Sequence, residues 1–164
     1  MTEPDFLIRK ATLDDAKLLA ALNVPIQRLH SDAKPEVFKQ TTVDDPGIIG
    51  FFSAALNNPD DTIYILEAAG VPAGCVYARI IRRPESPFGY ASSLILIDQI
   101  SVNPEFQGRG YGKALMNAVF DLAKAHQIQR VVLDVWAFNT SAIQFYERMG
   151  FKFFNYRMDI DLSE

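Results

Sequence analysis

The stretch "ISVNPEFQGRGYGKALM", residues 100–116, joins the end of an apolar strand to the start of a helix. Three glycines alternate in the turn, at Gly108, Gly110 and Gly112. Glycine costs about 1 kcal/mol relative to alanine inside a helix, so its repeated use at a helix start calls for a function. The first N–H groups of a helix have no internal partner and carry about half a positive charge. The turn therefore predicts a site where backbone amides bind phosphate, with Arg109 and Lys113 at its rim.

Two better-known phosphate loops do not fit these residues. A Walker-type loop would need glycine at Gln107 and a hydroxyl at Ala114, and the hydroxyl is the Mg²⁺ ligand. The dinucleotide pattern Gly-x-Gly-x-x-Gly fails because Gly112 comes one residue early. A plain tight turn is a further alternative, but it needs one glycine and not three. We therefore expect a pyrophosphate held by amides without a metal.

The apolar periodicity outside the turn predicts alternating strands and helices. We expect strands over 6–11, 62–68, 73–81, 93–102 and 130–137, and a closing strand or strand pair over 151–162. We expect helices over 14–23, 46–58, the residues after Gly112, and 141–149. This order predicts a mixed α/β (α+β) fold: one domain over 1–164, with a sheet of six to seven strands and about four helices on both faces.

Composition excludes several classes of protein. The net charge of -4 argues against a nucleic-acid partner. Cys75 is the one cysteine, so no internal disulfide forms, and we interpret it as a small buried hydrophobe. With His30 and His126 as the only histidines and no Cys/His cluster, we expect no metal. No leader and no apolar run of ~18 residues is evident, which favours a cytoplasmic protein without a membrane partner.

Residues 100–116 resemble the acetyl-CoA-binding motif of the GNAT superfamily of N-acetyltransferases, written Gln/Arg-x-x-Gly-x-Gly/Ala. Gln107, Gly110 and Gly112 match it. Downstream, "NTSAIQFYERMGFK" (139–152) resembles the second signature of the same superfamily. The resemblance implies the GNAT fold and acetyl-CoA as co-substrate.

The resemblance also implies which residues bind the coenzyme. They are Ile100, Ser101, Val102, Gln107, Gly108, Arg109, Gly110, Tyr111, Gly112, Lys113, Asn139 and Tyr146. It implies further that the strand ending at Val102 splays from 130–137, which frees backbone groups for the pantetheine arm. Asn139 has a second explanation, because it stands at the N-cap of the helix that follows.

Two residues are candidates for general acid–base catalysis. By resemblance Tyr146 protonates the leaving thiolate, although its helical spacing also suits a core aromatic. Asp98 is the candidate base, because alternation places it on one strand face with Leu96 and Ile100. The alternative for Asp98 is a structural ion pair with a neighbouring Arg or Lys.

The sequence thus predicts an enzyme, an acetyl-CoA-dependent N-acetyltransferase (acyltransferase class EC 2.3.1). It would transfer the acetyl group directly to a primary amine of a small molecule or peptide. The alternatives are a non-catalytic acyl-CoA sensor of the same fold and an acyltransferase with a non-amine acceptor. Candidate acceptor residues are His30, Asp32, Glu36 and Tyr90, which a solvated face also explains. A homodimer is compatible with families of this kind.

Overall fold

Residues 5–162, which the computed structural model describes, contain five strands and four α-helices. The strands are β1 (Phe6–Lys10), β2 (Asp61–Ala68), β3 (Val71–Arg83), β4 (Ser92–Val102) and β5 (Val131–Leu133). The helices are α1 (Ala16–Ala33), α2 (Pro46–Asn57), α3 (Tyr111–Ala125) and α4 (Thr140–Arg148). Short 3₁₀ turns precede α1 (Leu13–Asp15) and α3 (Pro104–Phe106).

The chain divides between Asp134 and Val135 into two compact units. The first unit holds the whole sheet with α1, α2 and α3, and the second holds α4. A single domain over 1–164 stays a prediction.

The sheet of the first unit has the order β1-β2-β3-β4-β5. β1 to β4 are antiparallel, and β4 pairs with β5 in parallel. A parallel pair needs a crossover connection, and here the glycine-rich turn and α3 provide it. The predicted mixed α/β architecture is confirmed.

Both faces of the sheet are covered, as the alternation of its strands requires. Ile63, Ile65, Cys75 and Tyr77 share one apolar cluster with buried residues of α1 and α2. α3 lies against β2, β3 and β4, and its fully buried residues are Leu115, Met116 and Val119. α3 therefore covers the opposite face, where Leu66 and Val76 are also fully buried.

Three predicted elements differ from the structure. The count of six to seven strands is wrong for the described residues, because 151–162 form neither helix nor strand nor turn. Their alternating apolar pattern suits a strand, but a strand also needs a neighbour for its backbone groups, which no residue of 5–162 supplies. β5 ends at Leu133 instead of 137, and α1 runs ten residues beyond 23, through Pro25, to Ala33.

The start of α1 is fixed by an ion-pair network. Asp15 accepts two hydrogen bonds from the guanidinium of Arg9, each 2.8 Å, and a third from the backbone N–H of Thr12 at 2.8 Å. Arg9 also donates to Glu67 on the neighbouring strand, at 2.8 Å. The hydrogen bonds from Arg9 lower the pKa of Asp15 to about 2. Thr12 and Asp15 form a capping box at the 3₁₀ turn that leads into α1.

None of the helices within 5–162 is long and apolar enough to cross a bilayer.

Candidate functional site

The site begins at the N-terminus of α3, where the glycine-rich turn leaves a row of free backbone donors. The first hydrogen bond of the helix runs from the N–H of Ala114 to the carbonyl of Gly110, at 3.0 Å. Within residues 5–162, the six N–H groups of 108–113 have no acceptor, and no side chain caps the helix. Six adjacent donors at the positive end of a helix dipole form an environment for an anion.

Two of the three glycines have a backbone reason for their identity. Gly108 has φ +77° and Gly110 has φ +84°, which is the left-handed region. Residues with a Cβ occupy that region only at a cost of about 1–2 kcal/mol. Gly112 lies in the first turn of α3 and is not among the residues of positive φ. Gly112 is therefore the glycine of the three that the local fold does not require.

Side chains of the turn hold it against the end of β4. The Gln107 amide Nε2 donates to the carbonyl of Val102 at 3.0 Å. Arg109 donates to the carbonyl of Glu105 at 3.3 Å, and its guanidinium lies over the ring of Phe106 at 5.5 Å. Tyr111 is buried with its ring against Phe106. These contacts fix the direction in which the free N–H groups point.

The parallel pair β4–β5 ends well before β4 does. Ile97 opposite Leu133 is the last pair, so 98–102 have no β5 partner within the described chain. The splaying of β4 from 130–137 that the resemblance implies stays a prediction, because β5 itself ends at Leu133. The backbone groups of 98–102 on that edge are available to a ligand that is itself amide-rich and extended.

A β-bulge lies where the two strands part. Tyr77 is opposite Gln99 and Ala78 is opposite Ile97, so Asp98 is an extra residue with nothing across from it. The bulge breaks the expected alternation: Leu96 and Gln99 share a face with Arg79 and Tyr77, and Ile100 turns to the other face. The predicted common face of Leu96, Asp98 and Ile100 is therefore wrong.

Asp98 belongs to a polar cluster on β2, β3 and β4. Its carboxylate lies 3.6 Å from the guanidinium of Arg79, and its side chain is 31% exposed. Arg79 also reaches the buried Asp61, at 3.4 Å, and Tyr77 donates its hydroxyl to Asp61 at 2.7 Å. Burial, together with the Asp61 carboxylate, raises the pKa of Tyr77. The buried amide Nε2 of Gln99 has no hydrogen-bond partner among residues 5–162.

The structure contains the ion pair with a neighbouring Arg or Lys that the sequence offers as the alternative for Asp98, and the partner is Arg79. Sequence reasoning did not identify Arg79 by number, and it missed Tyr77 and Asp61 in the same cluster. The signal was the pattern "VYARI", in which Tyr77 and Arg79 are two residues apart and so share a strand face. The bulge itself has no comparable sequence signal.

Ser101 contributes to packing through its side chain. Its hydroxyl donates to the carbonyl of Leu22 in α1 at 2.9 Å and lies 3.7 Å from the sulfur of Cys75. Burial raises the pKa of Cys75 to about 11. The interpretation of Cys75 as a buried structural residue is confirmed, since a thiol of this pKa is a poor nucleophile.

In the second unit, the two residues predicted to contact the coenzyme are Asn139, the N-cap of α4, and Tyr146 within α4. The side chain of Asn139 accepts from the N–H of Ala142 at 3.2 Å, so its role as N-cap is confirmed. Tyr146 packs between the rings of Phe145 and Phe151, at 5.3 and 5.9 Å. Burial raises the pKa of Tyr146 to about 12. Its hydroxyl has no hydrogen bond to any residue of 5–162.

The role of the four candidate acceptor residues stays a prediction. His30 stacks on Phe38 at 4.9 Å, and burial lowers its pKa. Asp32 is exposed, and Glu36 pairs with Lys34 at 3.3 Å. Tyr90 is 91% exposed in the β3–β4 loop.

Comparison with known proteins identifies the family to which this chain belongs. The model of the acetyltransferase (GNAT) family matches residues 23–151. An uncharacterised N-acetyltransferase of Methanocaldococcus jannaschii is 32% identical over 107 residues, which are 62% of this chain and 44% of that protein. The chain thus spans less than half the length of this relative.

Solved structures show the same fold. A mutant form of a Bacillus halodurans protein superimposes with a TM-score of 0.89 at 23% identity, over 95% of this chain and 99% of that one. A predicted acetyltransferase of Clostridium acetobutylicum, determined with acetyl-CoA, has a TM-score of 0.69 at 18% identity and covers 96% of each chain. The chain belongs to the GNAT acetyltransferase family, as the sequence predicts.

Proposed function

We propose that this protein transfers the acetyl group of acetyl-CoA directly to a primary amine of a small molecule or peptide. The observation that carries the proposal is the row of six free N–H groups at 108–113, next to a strand edge that is open from 98 to 102. The first suits a pyrophosphate and the second suits the amides of a pantetheine arm. The neighbour determined with acetyl-CoA supports the same co-substrate.

In the proposed complex, backbone N–H groups make the main contacts to the coenzyme, and side chains add charge around them. The N–H groups of Gly108 to Lys113 bind the pyrophosphate, and the cationic side chains of Arg109 and Lys113 add charge at its edge. Ile100 and Val102 contribute backbone groups to the pantetheine arm. Ser101 is the weakest of the predicted contacts, because its hydroxyl is bonded to the carbonyl of Leu22 and its backbone, which alternates with that of Ile100 and Val102, faces β3. Asn139 caps α4, and in this proposal it also binds the pantetheine arm.

In the proposed reaction, the amine nitrogen attacks the thioester carbonyl, and the C–S bond breaks as the C–N bond forms. Asp98 receives the proton that the amine loses, directly or through water. Tyr146 gives a proton to the departing thiolate. Its raised pKa of about 12 keeps the phenol protonated, and therefore competent as a donor, throughout the neutral range.

The bulge explains why Asp98 suits this role. As the extra residue of β4, Asp98 has no residue opposite it, and it lies where the edge of the strand opens. Arg79 holds the carboxylate in place at 3.6 Å.

The test combines binding and turnover. Isothermal titration with acetyl-CoA should show micromolar binding, and release of free thiol should then be measured with amino acids, polyamines, aminoglycosides and peptide N-termini. Thiol release that depends on one class of amine supports the proposal. Binding without turnover on any amine would make the protein a sensor, and turnover on alcohols alone would make it an O-acyltransferase. No binding at millimolar coenzyme would overturn the proposal altogether.

A further inference from the structure

Arg79 and Asp98 form an ion pair in which both groups keep their capacity to bind a ligand. The Nη1 atom of Arg79 lies 3.6 Å from the carboxylate, which is beyond hydrogen-bond distance. Within residues 5–162, the guanidinium makes one hydrogen bond, from Nε to Asp61. The carboxylate of Asp98 accepts no hydrogen bond from any residue of the same range. The terminal nitrogens of Arg79 and the oxygens of Asp98 therefore have unused donors and acceptors side by side.

The position of the guanidinium is fixed from the interior of the first unit. The side chain of Asp61 is 4% exposed and accepts hydrogen bonds from the hydroxyl of Tyr77, at 2.7 Å, and from Nε of Arg79, at 3.4 Å. The guanidinium carbon also lies over the ring of Tyr77, at 5.9 Å from its centre. These contacts hold the Nε side of Arg79 and leave Nη1 beside Asp98. All four residues belong to the first unit.

A ligand that complements this pair has an anion and a cation equally close together. In an α-amino acid the amine nitrogen and the carboxyl carbon are two bonds apart, about 2.5 Å. A polyamine lacks the anion and would bring a second cation towards Arg79. The N-terminus of a peptide offers Arg79 only a neutral carbonyl, which makes a weaker hydrogen bond than a carboxylate. The charge pattern therefore favours a free amino acid over both.

We propose that the amine acceptor is a free α-amino acid, whose carboxylate binds the terminal nitrogens of Arg79 and whose amino group binds Asp98. Arginine is suited to this task because its planar fork matches a carboxylate. The inference rests on the proposed function, in which Asp98 already meets the attacking amine. The bound ammonium group loses one proton to water, and the nitrogen then attacks the thioester carbonyl. As the C–N bond forms and the C–S bond breaks, Asp98 takes the second proton and the leaving sulfur is protonated, which gives an N-acetyl amino acid and the free thiol.

A matched set of acceptors tests the substrate class. Thiol release at saturating acetyl-CoA should be measured with the protein amino acids, and then with the carboxamide and the decarboxylated amine of each one that reacts. The free acid should have a kcat/KM at least about tenfold above that of its carboxamide, because the amide loses the charge-assisted hydrogen bonds to Arg79. Equal values for acid and carboxamide would overturn this inference and leave the proposed transferase standing. No thiol release with any amine would overturn both.

Substitution of Arg79 tests whether it is the residue that selects the carboxylate. Arg79→Gln should bring the acid-to-carboxamide ratio of kcat/KM to about one, mainly by raising KM for the acid, and Arg79→Lys should keep part of the preference. A merely structural change would slow both acceptors alike and leave the ratio unchanged. Arg82→Gln is the matched control, since Arg82 lies on the same strand and pairs with Asp60.

Two further measurements guard against misfolding. The variants should keep the melting temperature and the acetyl-CoA dissociation constant of the wild type, and the wild-type ratio itself needs no variant at all. A wild-type ratio in Arg79→Gln, or an equal loss of the ratio in Arg82→Gln, would overturn the assignment of Arg79.

Discussion

The carboxylate of Asp98 lies 3.6 Å from the guanidinium of Arg79, on a strand where Asp98 has no residue opposite it. One residue earlier, Ile97 makes the last pair between β4 and β5. The bulge, the parting of the strands and the ion pair therefore meet at one point of the sheet. Because Arg79 also contacts the buried Asp61, the position of Asp98 is coupled to the interior of the first unit.

Replacement of Asp98 tests its role as proton acceptor. We expect Asp98→Asn to lower kcat/KM for the amine about 100-fold at pH 7, because general-base catalysis is worth 10²–10⁴-fold. The dissociation constant of acetyl-CoA should not change. Asp121→Asn is the control, since Asp121 is exposed and pairs with Lys124 on α3. An Asp98→Asn variant with wild-type kcat/KM would leave Asp98 as a structural ion-pair partner of Arg79.

Substitution of Gly112 tests the stability of the fold and the affinity for acetyl-CoA separately. Gly112→Ala should stabilise the free protein by up to about 1 kcal/mol, because alanine is the better helix residue and φ at 112 is not positive. The methyl group that this substitution adds would stand among the free N–H groups of 108–113. It should weaken acetyl-CoA binding at least about tenfold, because it moves the charged pyrophosphate away from these hydrogen-bond donors. Thermal denaturation and calorimetric titration measure the two effects on one variant.

The control for this substitution is Gly50→Ala in α2. Gly50 is a helix-interior glycine, and a Cβ added there meets no atom within 4 Å. Gly50→Ala should raise the melting temperature and leave the coenzyme affinity alone. If Gly112→Ala also bound acetyl-CoA with wild-type affinity, the amides of 108–113 would not be the pyrophosphate site.

The sequence predicts the elements of the first unit well because their determinants are local. The start of α2 depends on the capping side chain of Asp45 and on Pro46, and the start of α3 depends on the left-handed Gly110, which are all adjacent in sequence to the helix that they begin. The hairpin of β2 and β3 follows from the turn residues between two apolar runs. The family motif adds a candidate phosphate site, because the residues of 107–113 are contiguous in sequence.

The parts that sequence could not predict depend on contacts between distant residues. The bulge at Asp98 arises from the register between β3 and β4, which alternation along β4 alone cannot reveal. Arg79 reaches Asp98 and Asp61 across three strands. The apolar alternation of 151–162 predicts a strand. Alternation alone does not identify the neighbouring strand with which such a segment pairs.

We expect Tyr146 to act as a general acid whose own deprotonation does not contribute to the pH dependence of kcat. Tyr146→Phe should lower kcat about tenfold, since a thiolate leaves without strong assistance, and should change KM little. Because burial raises the pKa of the phenol to about 12, its deprotonation lies above the accessible range. The alkaline limb of the kcat profile between pH 6 and 10 should therefore be the same in the variant and the wild type. Loss of an alkaline limb in Tyr146→Phe would contradict this assignment.

Asp15 should make stability depend on acid pH. Its pKa in the folded protein is about 2, against an ordinary value of 3.8, because Arg9 donates two hydrogen bonds to the carboxylate. A lowered pKa stabilises the fold fully above pH 4, and the stabilisation is lost as the pH falls from about 4 to about 2. Urea unfolding should show Asp15→Asn less stable by about 1–2 kcal/mol at pH 7, after allowance for the partly exposed Arg9. The difference should narrow below pH 4, and Asp14→Asn, which changes an exposed neighbour, should show no such trend. A difference that is constant down to pH 2.5 (about half a unit above the folded pKa) would assign the effect to packing and not to charge.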